Sequence, residues 1–254
     1  MGTGVRFGRV RQGAACRSIR AIRRASFAAD PRAARRAVEA EFFWGERAIV
    51  CAVKFRTLLL PHHDDHCIER ISSALDRMDA ANRLWTVLSI EPAEQTKIWE
   101  LFADHTLDAD HFAPSSLDPL KPVIHHGKNT LPMHNFFQKR FCRADDESGD
   151  LWGYNHQSLS WATGPGYFVA HPADTEGKDQ PSSYLVDYTR LPKKKPSDWP
   201  EIIPNEAKLG RFVYAGMKDY MRKVSDHVSI GRAYRGSKAM DAWFILCRED
   251  PAEG

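Results

Sequence analysis

The sequence predicts an α+β fold in which amino-terminal helices precede an antiparallel β-barrel or strongly curved sheet. Three observations carry this. Apolar residues between 68 and 88 recur at helical spacing. Short β-favouring runs separated by turn residues fill the chain from 121 onward. Seventeen of the 27 aromatic residues lie in 121–254, and all seven tyrosines fall between 154 and 234. We divide the chain into a basic extension expected to be disordered (1–47), a mainly helical segment packing on the sheet (48–118) and the antiparallel barrel (119–250).

Charge separates the first part from the rest. Of 254 residues, 36 are Lys or Arg and 33 are Asp or Glu, for a net charge of +3. Residues 1–60 hold 13 basic and 4 acidic side chains, whereas 61–254 hold 23 basic and 29 acidic ones. Seven arginines precede Asp30, the first acidic residue. Repelling arginines with little apolar content cannot offset an ordering entropy of about 1–2 kcal/mol per residue. The same composition fits an organellar presequence in residues 1–30. Arg23-Arg24 is not followed by the apolar stretch of an export signal. Only Phe7 and Phe27 interleave the arginines of the first thirty residues, so nucleic-acid binding is not expected. The folded part is mildly acidic, and cytoplasmic localisation is the leading expectation. No apolar run approaches the ~18 residues of a membrane span. Five cysteines, odd in number and without a CxxC pair, argue against a disulfide framework.

Ala48–Leu60 is apolar but carries Lys54 and Arg56, and a strand there remains open. Ile68, Ile71, Leu75 and Met78 share a helical face, and the pattern runs on through Leu84, Trp85 and Leu88. We predict one helix over 65–89, with Asp64 or Asp65 as cap, and a second over 92–103. Pro92 suits the first turn of that second helix, and Glu91 and Glu94 sit beside its positive end. The apolar faces of these helices are expected to cap an open end or edge of the sheet.

Strands are predicted at 122–126, 135–142, 151–160, 166–171, 183–190, 211–217, 218–224, 227–235 and 242–248. Gly127-Lys128-Asn129, Gly164-Pro165-Gly166 and Gly236-Ser237-Lys238 supply turn chemistry between them. Lys193–Pro204 holds three prolines and reads as a surface crossover. Such a barrel leaves an interior that side chains fill or that holds one small ligand.

The carboxy-terminal stretch also resembles a known family. Val213-Tyr214, Asp219-Tyr220, Arg222, Val224-Ser225-Asp226, Ile230-Gly231 and Trp243-Phe244 ending at Arg248 follow its recurring pattern, and upstream Lys139-Arg140-Phe141 echoes another piece. The family is the lipocalin-like domain of unknown function associated with GXWXG proteins. The match covers about fifty residues well and 125–250 loosely. No GxWxG string is present, and Ser225 stands where the family has Asp. The resemblance implies a lipocalin-like barrel and a small, largely apolar ligand.

The leading function is therefore binding or carriage of a small apolar or amphipathic molecule in an aromatic-lined cavity. The candidate lining is Trp152, Tyr154, Tyr167, Tyr188, Tyr214, Arg232 and Trp243. Arg232 shares strand parity with Val228, Ile230 and Tyr234, so it is expected to point inward and hold a carboxylate. Arg222 and Asp226 are expected to pair across a turn. One alternative is an isomerase- or hydrolase-type enzyme using His, Asp and Arg in the same cavity. Another is an interaction protein whose barrel is solid. His125, His126 and His156 could supply acid–base chemistry, but no GxSxG nucleophile elbow accompanies them. Thr163-Gly164-Pro165-Gly166-Tyr167 lacks the Lys-Ser/Thr of a phosphate loop and reads as a turn. His62-His63-Asp64-Asp65-His66-Cys67 is the densest group of metal-ligand types, in an order that matches no hydrolase motif. No metal or other cofactor is expected.

Overall fold

Eight antiparallel strands close into a barrel in sequence order, as a computed structural model shows. The strands are β1 (Val123–Asn129), β2 (Phe136–Arg143), β3 (Leu151–His156), β4 (Tyr167–Pro172), β5 (Tyr184–Asp187), β6 (Met217–Lys223), β7 (Val228–Arg235) and β8 (Lys238–Arg248). The structure describes residues 46–59, 66–131, 135–158, 160–173 and 184–250. The arginine-rich leader and His62–Asp65 lie outside that set. β1 pairs with β8 in a register that sets His126 opposite Cys247, which closes the cylinder. Closure leaves no unpaired sheet edge.

The helices are α1 (Glu46–Leu58), α2 (Cys67–Asp76), α3 (Ala80–Ser89), α4 (Pro92–Leu101) and three single turns, α5 (Ala109–Phe112), α6 (Ser160–Thr163) and α7 (Gly210–Val213). Ala48–Leu58 is thus helical rather than a strand. The helix predicted over 65–89 is two. Asp79 stops the first run and caps α3, accepting from the Asn82 amide at 3.0 Å. α4 begins as expected: Pro92 sits in its first turn, and the Glu91 amide donates to the Glu94 carboxylate at 2.7 Å. The strand predicted at 211–217 is instead α7 followed by a turn through Gly216, whose φ of 68° is left-handed. Among the described residues, no helix is long and apolar enough to cross a membrane.

The long helices do not cap the barrel; they cover its outer wall. Phe55, Ile71, Leu75, Val87, Ile98 and Phe102 pack against Val224, Val228, Ile230, Trp243, Ile245 and Cys247. The expected Arg222–Asp226 pairing gives way to this layer. The Arg222 guanidinium lies 3.6 Å from the Trp99 ring centroid and donates to the Trp99 carbonyl, while Asp226 pairs with Lys223 at 2.8 Å. A second cover is the predicted crossover. It lays Trp199 over Tyr154, Tyr167 and Val169 on the outer face of β3 and β4.

One end of the barrel is plugged. Asp108 caps α5 by accepting from the His111 amide at 3.0 Å, and Phe112 enters the interior against Phe141 and Tyr184. Arg248 donates to the His111 carbonyl at 2.7 Å, and His125 Nε2 donates to that of Phe112 at 2.9 Å. Burial pulls the His125 imidazole down to about 3, and burial with the neighbouring His125 ring lowers His111.

The folded state therefore holds both rings neutral, while the unfolded chain takes up protons below about pH 6.5. Stability should be full above that pH and fall as pH drops, for His125 down to about 3, by about 1.4 kcal/mol per pH unit for each ring that stays neutral when folded. Urea denaturation at pH 7 and 5 measures the slope. His125→Asn should reduce it by about one proton; an unchanged slope contradicts the assignment.

Candidate functional site

Alternation along each strand sends one set of side chains inward. Phe137, Lys139 and Phe141 of β2 belong to it, as do Gly153 and Asn155 of β3, Phe168 and Ala170 of β4, and Tyr184 and Val186 of β5. β6 adds Met217, Asp219 and Met221; β7 adds Gly231 and Ala233; β8 adds Phe244 and Leu246. This surface is mostly apolar; besides His125 and Ser229, its polar groups gather in one cluster.

Lys139 is the centre of that cluster. Its ammonium has three N–H donors. They meet Asp219 Oδ2 at 3.0 Å, Asn155 Oδ1 at 3.1 Å and the Tyr188 hydroxyl oxygen. Tyr188 donates to Asp219 Oδ2 at 3.2 Å, and Asn155 Nδ2 donates to the Tyr188 oxygen at 2.8 Å. Four rings surround the charge, with centroids 4.9 Å (Tyr188), 4.9 Å (Phe244), 5.1 Å (Phe168) and 5.9 Å (Phe137) from Nζ. Glycine makes room for two of them. A Cβ on Gly153 would sit 2.4 Å from the Phe168 ring, and one on Gly231 would sit 2.2 Å from that of Phe244. Burial pulls Lys139 below the ordinary lysine range, and Asp219 pulls it partly back. Burial, then Asp219, raises Tyr188 well above the phenol range.

The polar chain continues toward the barrel end. Tyr214 stacks on Tyr188 at 5.4 Å, and its hydroxyl accepts from Gln157 Nε2 at 2.7 Å. Burial pushes the Tyr214 hydroxyl up to about 12. Phe112, Phe141, Leu151, Met221 and Leu246 are 0% exposed, Asp219, Asn155, Tyr188 and Tyr214 keep 5%, and Phe137, Met217 and Ala233 keep 7–8%. At the plug end Leu107 and Val123 keep 7–8%, and within the cluster Lys139 keeps 2% and Phe168 0%.

The seven residues expected to line a cavity are split among three places. Tyr188 and Tyr214 are in the interior beside Lys139. Trp152, Tyr154 and Tyr167 lie on the outer face, in the cluster with Trp199, where Tyr167 donates to the Pro200 carbonyl at 2.5 Å. Trp243 faces the helical layer. Arg232 does not point inward: its guanidinium lies 4.8 Å from the Trp243 ring and donates to the Met240 carbonyl at 3.1 Å. The parity of Val228, Ile230 and Tyr234 was apolar because helices cover it. A groove of about 600 Å³ opens on the outer face between Tyr154, His156, Trp161 and Trp199, with Arg140 and Lys208 opposite Asp198 and Glu201. Burial, and secondarily Arg140, pulls His156 down to about 4.

Sequence reasoning missed Lys139, Asn155 and Asp219 as a cluster. The available signal was a lone lysine between Phe137 and Phe141 on one parity of an aromatic strand. Cys67 of the metal-ligand-rich segment donates its thiol to the Leu58 carbonyl at 3.2 Å. Among the described residues, no three His, Cys, Asp or Glu side chains gather as a metal site.

Removing one partner of a buried ion pair leaves the other charge uncompensated. Lys139→Met should destabilise the protein by about 3–5 kcal/mol, and Lys139→Met/Asp219→Leu should recover most of that loss. Urea denaturation of the three proteins checks this; a single variant as stable as wild type would refute the pairing. No family model matches the chain, and neither curated proteins nor solved structures provide a match.

Proposed function

We propose that the protein binds a small amphipathic molecule in the unplugged half of the barrel. The apolar part of the ligand would lie among Phe137, Phe168, Met217 and Phe244. Its polar group, a carboxylate, carbonyl or hydroxyl, would meet Lys139, Asp219, Tyr188 and Asn155. One observation carries this reading. A fully hydrogen-bonded Lys–Asp pair stands in a mostly apolar barrel interior, where two apolar side chains would serve stability as well or better. A few polar anchors in an apolar wall is the ordinary design of a small-molecule site. The lipocalin-like resemblance of the carboxy-terminal stretch supports the same class of ligand. The unpaired thiols of Cys51, Cys67, Cys142 and Cys247 support a reducing setting such as the cytoplasm.

A second reading is proton-transfer catalysis on a bound ligand. It is favoured by the contact of Lys139 with Tyr188, two buried groups whose proton affinities are shifted in opposite directions. The interior histidine, His125, stands opposite Lys139 in the β1–β2 register, but its Nε2 is engaged by the Phe112 carbonyl at 2.9 Å.

Titration with a fluorescent fatty-acid analogue tests the binding reading. Wild type should bind, and Lys139→Met/Asp219→Leu should bind at least about tenfold more weakly while remaining folded. Arg232→Ala, which alters the outer wall, should leave affinity unchanged. No binding by wild type, or equal binding by the double variant, would overturn the reading.

A further inference from the structure

The unplugged end is covered by two short segments. One carries α6 between β3 and β4, and the other carries α7 between β5 and β6. They are joined by the Leu209 amide donating to the Ala162 carbonyl at 3.3 Å and by Lys208 Nζ donating to the Trp161 carbonyl at 3.4 Å. Tyr214, just after α7, turns inward onto Tyr188. The outer face of this lid is unusual. Seven large apolar side chains are exposed among the described residues, and four of them are here: Trp161 (75%), Phe212 (63%), Leu209 (53%) and Val213 (43%). Two segments separated by some fifty residues therefore present their apolar tips together, which scattered exposure does not explain.

The charge beside the α7 tips is basic. Arg211 lies 4.9 Å from the Phe212 ring, Lys208 adjoins Trp161, and Arg235 donates to the Phe212 carbonyl at 2.8 Å. The exposed acids of the same segment are Glu206 and, lining the groove beside Trp161, Asp198 and Glu201. Tryptophan and phenylalanine tips ringed by Lys and Arg match the chemistry of a membrane interface: apolar side chains enter the headgroup boundary while cations meet anionic lipid. A bilayer is also the natural reservoir of an amphipathic ligand.

We propose that the α6–α7 lid docks on an anionic lipid surface, so that ligand passes between bilayer and barrel through the end it covers. The docking rests on the binding reading for its purpose, but it can be measured independently. Full-length protein is floated with phosphatidylcholine vesicles with and without phosphatidylserine. Wild type should prefer the anionic vesicles. Trp161→Ser/Phe212→Ser should bind about tenfold more weakly, and Arg211→Glu about fivefold. The basic residues before position 60 also attract such vesicles, so a depth-sensitive readout is needed. Lipids brominated in their acyl chains should quench wild-type fluorescence, and Trp161→Phe should lose the quenched component while still binding. Equal quenching in Trp161→Phe, or vesicle binding unchanged by the lid substitutions, overturns the docking. Affinity for the fluorescent analogue in solution should be the same in the lid variants as in wild type. Lid-dependent docking by a wild type that binds no analogue would overturn the ligand reading and leave the docking standing.

Discussion

A lysine and an aspartate ion-paired inside a closed barrel dominate the account. Placing two charges in an apolar interior costs several kcal/mol per ion before their attraction is counted. The pair survives because every ammonium proton finds an acceptor, in Asp219, Asn155 and Tyr188, and because four ring faces surround the charge. Those rings hold position because Gly153 and Gly231 offer no Cβ to displace them. β-barrel closure, glycine placement and the aromatic inventory thus converge on one site.

The rest of the structure encloses that site. Phe112, pinned through the carbonyls of α5, fills the far end and leaves nothing there for a ligand. Helices cover the β7–β8 wall, and the strap bearing Trp199 covers β3 and β4. Each cover needs an apolar outer wall, so much of the barrel is buried on both faces. At the other end lies the lid, whose inner side contributes Tyr214 and whose outer side contributes Trp161 and Phe212.

Double burial also explains what could be read in the sequence. Strand positions were legible because β-favouring runs alternate with Gly and Pro turns, although Gly127-Lys128-Asn129, expected as a turn, continues β1; eight of the nine predicted strands are present, and 211–217 is the exception. Facing was not legible. Val228 and Ile230 are apolar because helices need them, while the inward positions of β7 are Ser229, Gly231 and Ala233, small so that Phe244 and its neighbours fit. Rules that send the apolar face inward therefore placed Arg232 and Trp243 in the wrong compartment. Lys139 escaped because a single strand lysine reads as a solvent-facing residue until its partners, sixteen and eighty residues away, are known. Asp79 was a readable stop, with Asn82 three residues on, but the apolar periodicity running through it masked the cap.

The central claim is that the Lys139–Asp219 pair is the anchor of a ligand site rather than a structural ion pair alone. Native mass spectrometry of the full-length protein, purified without added ligand and compared with Lys139→Met/Asp219→Leu, tests it most directly. The account predicts a small-molecule adduct on wild type that the folded double variant loses. A wild type that carries no adduct and acquires none from a lipid extract, or an adduct retained equally by the double variant, would contradict it.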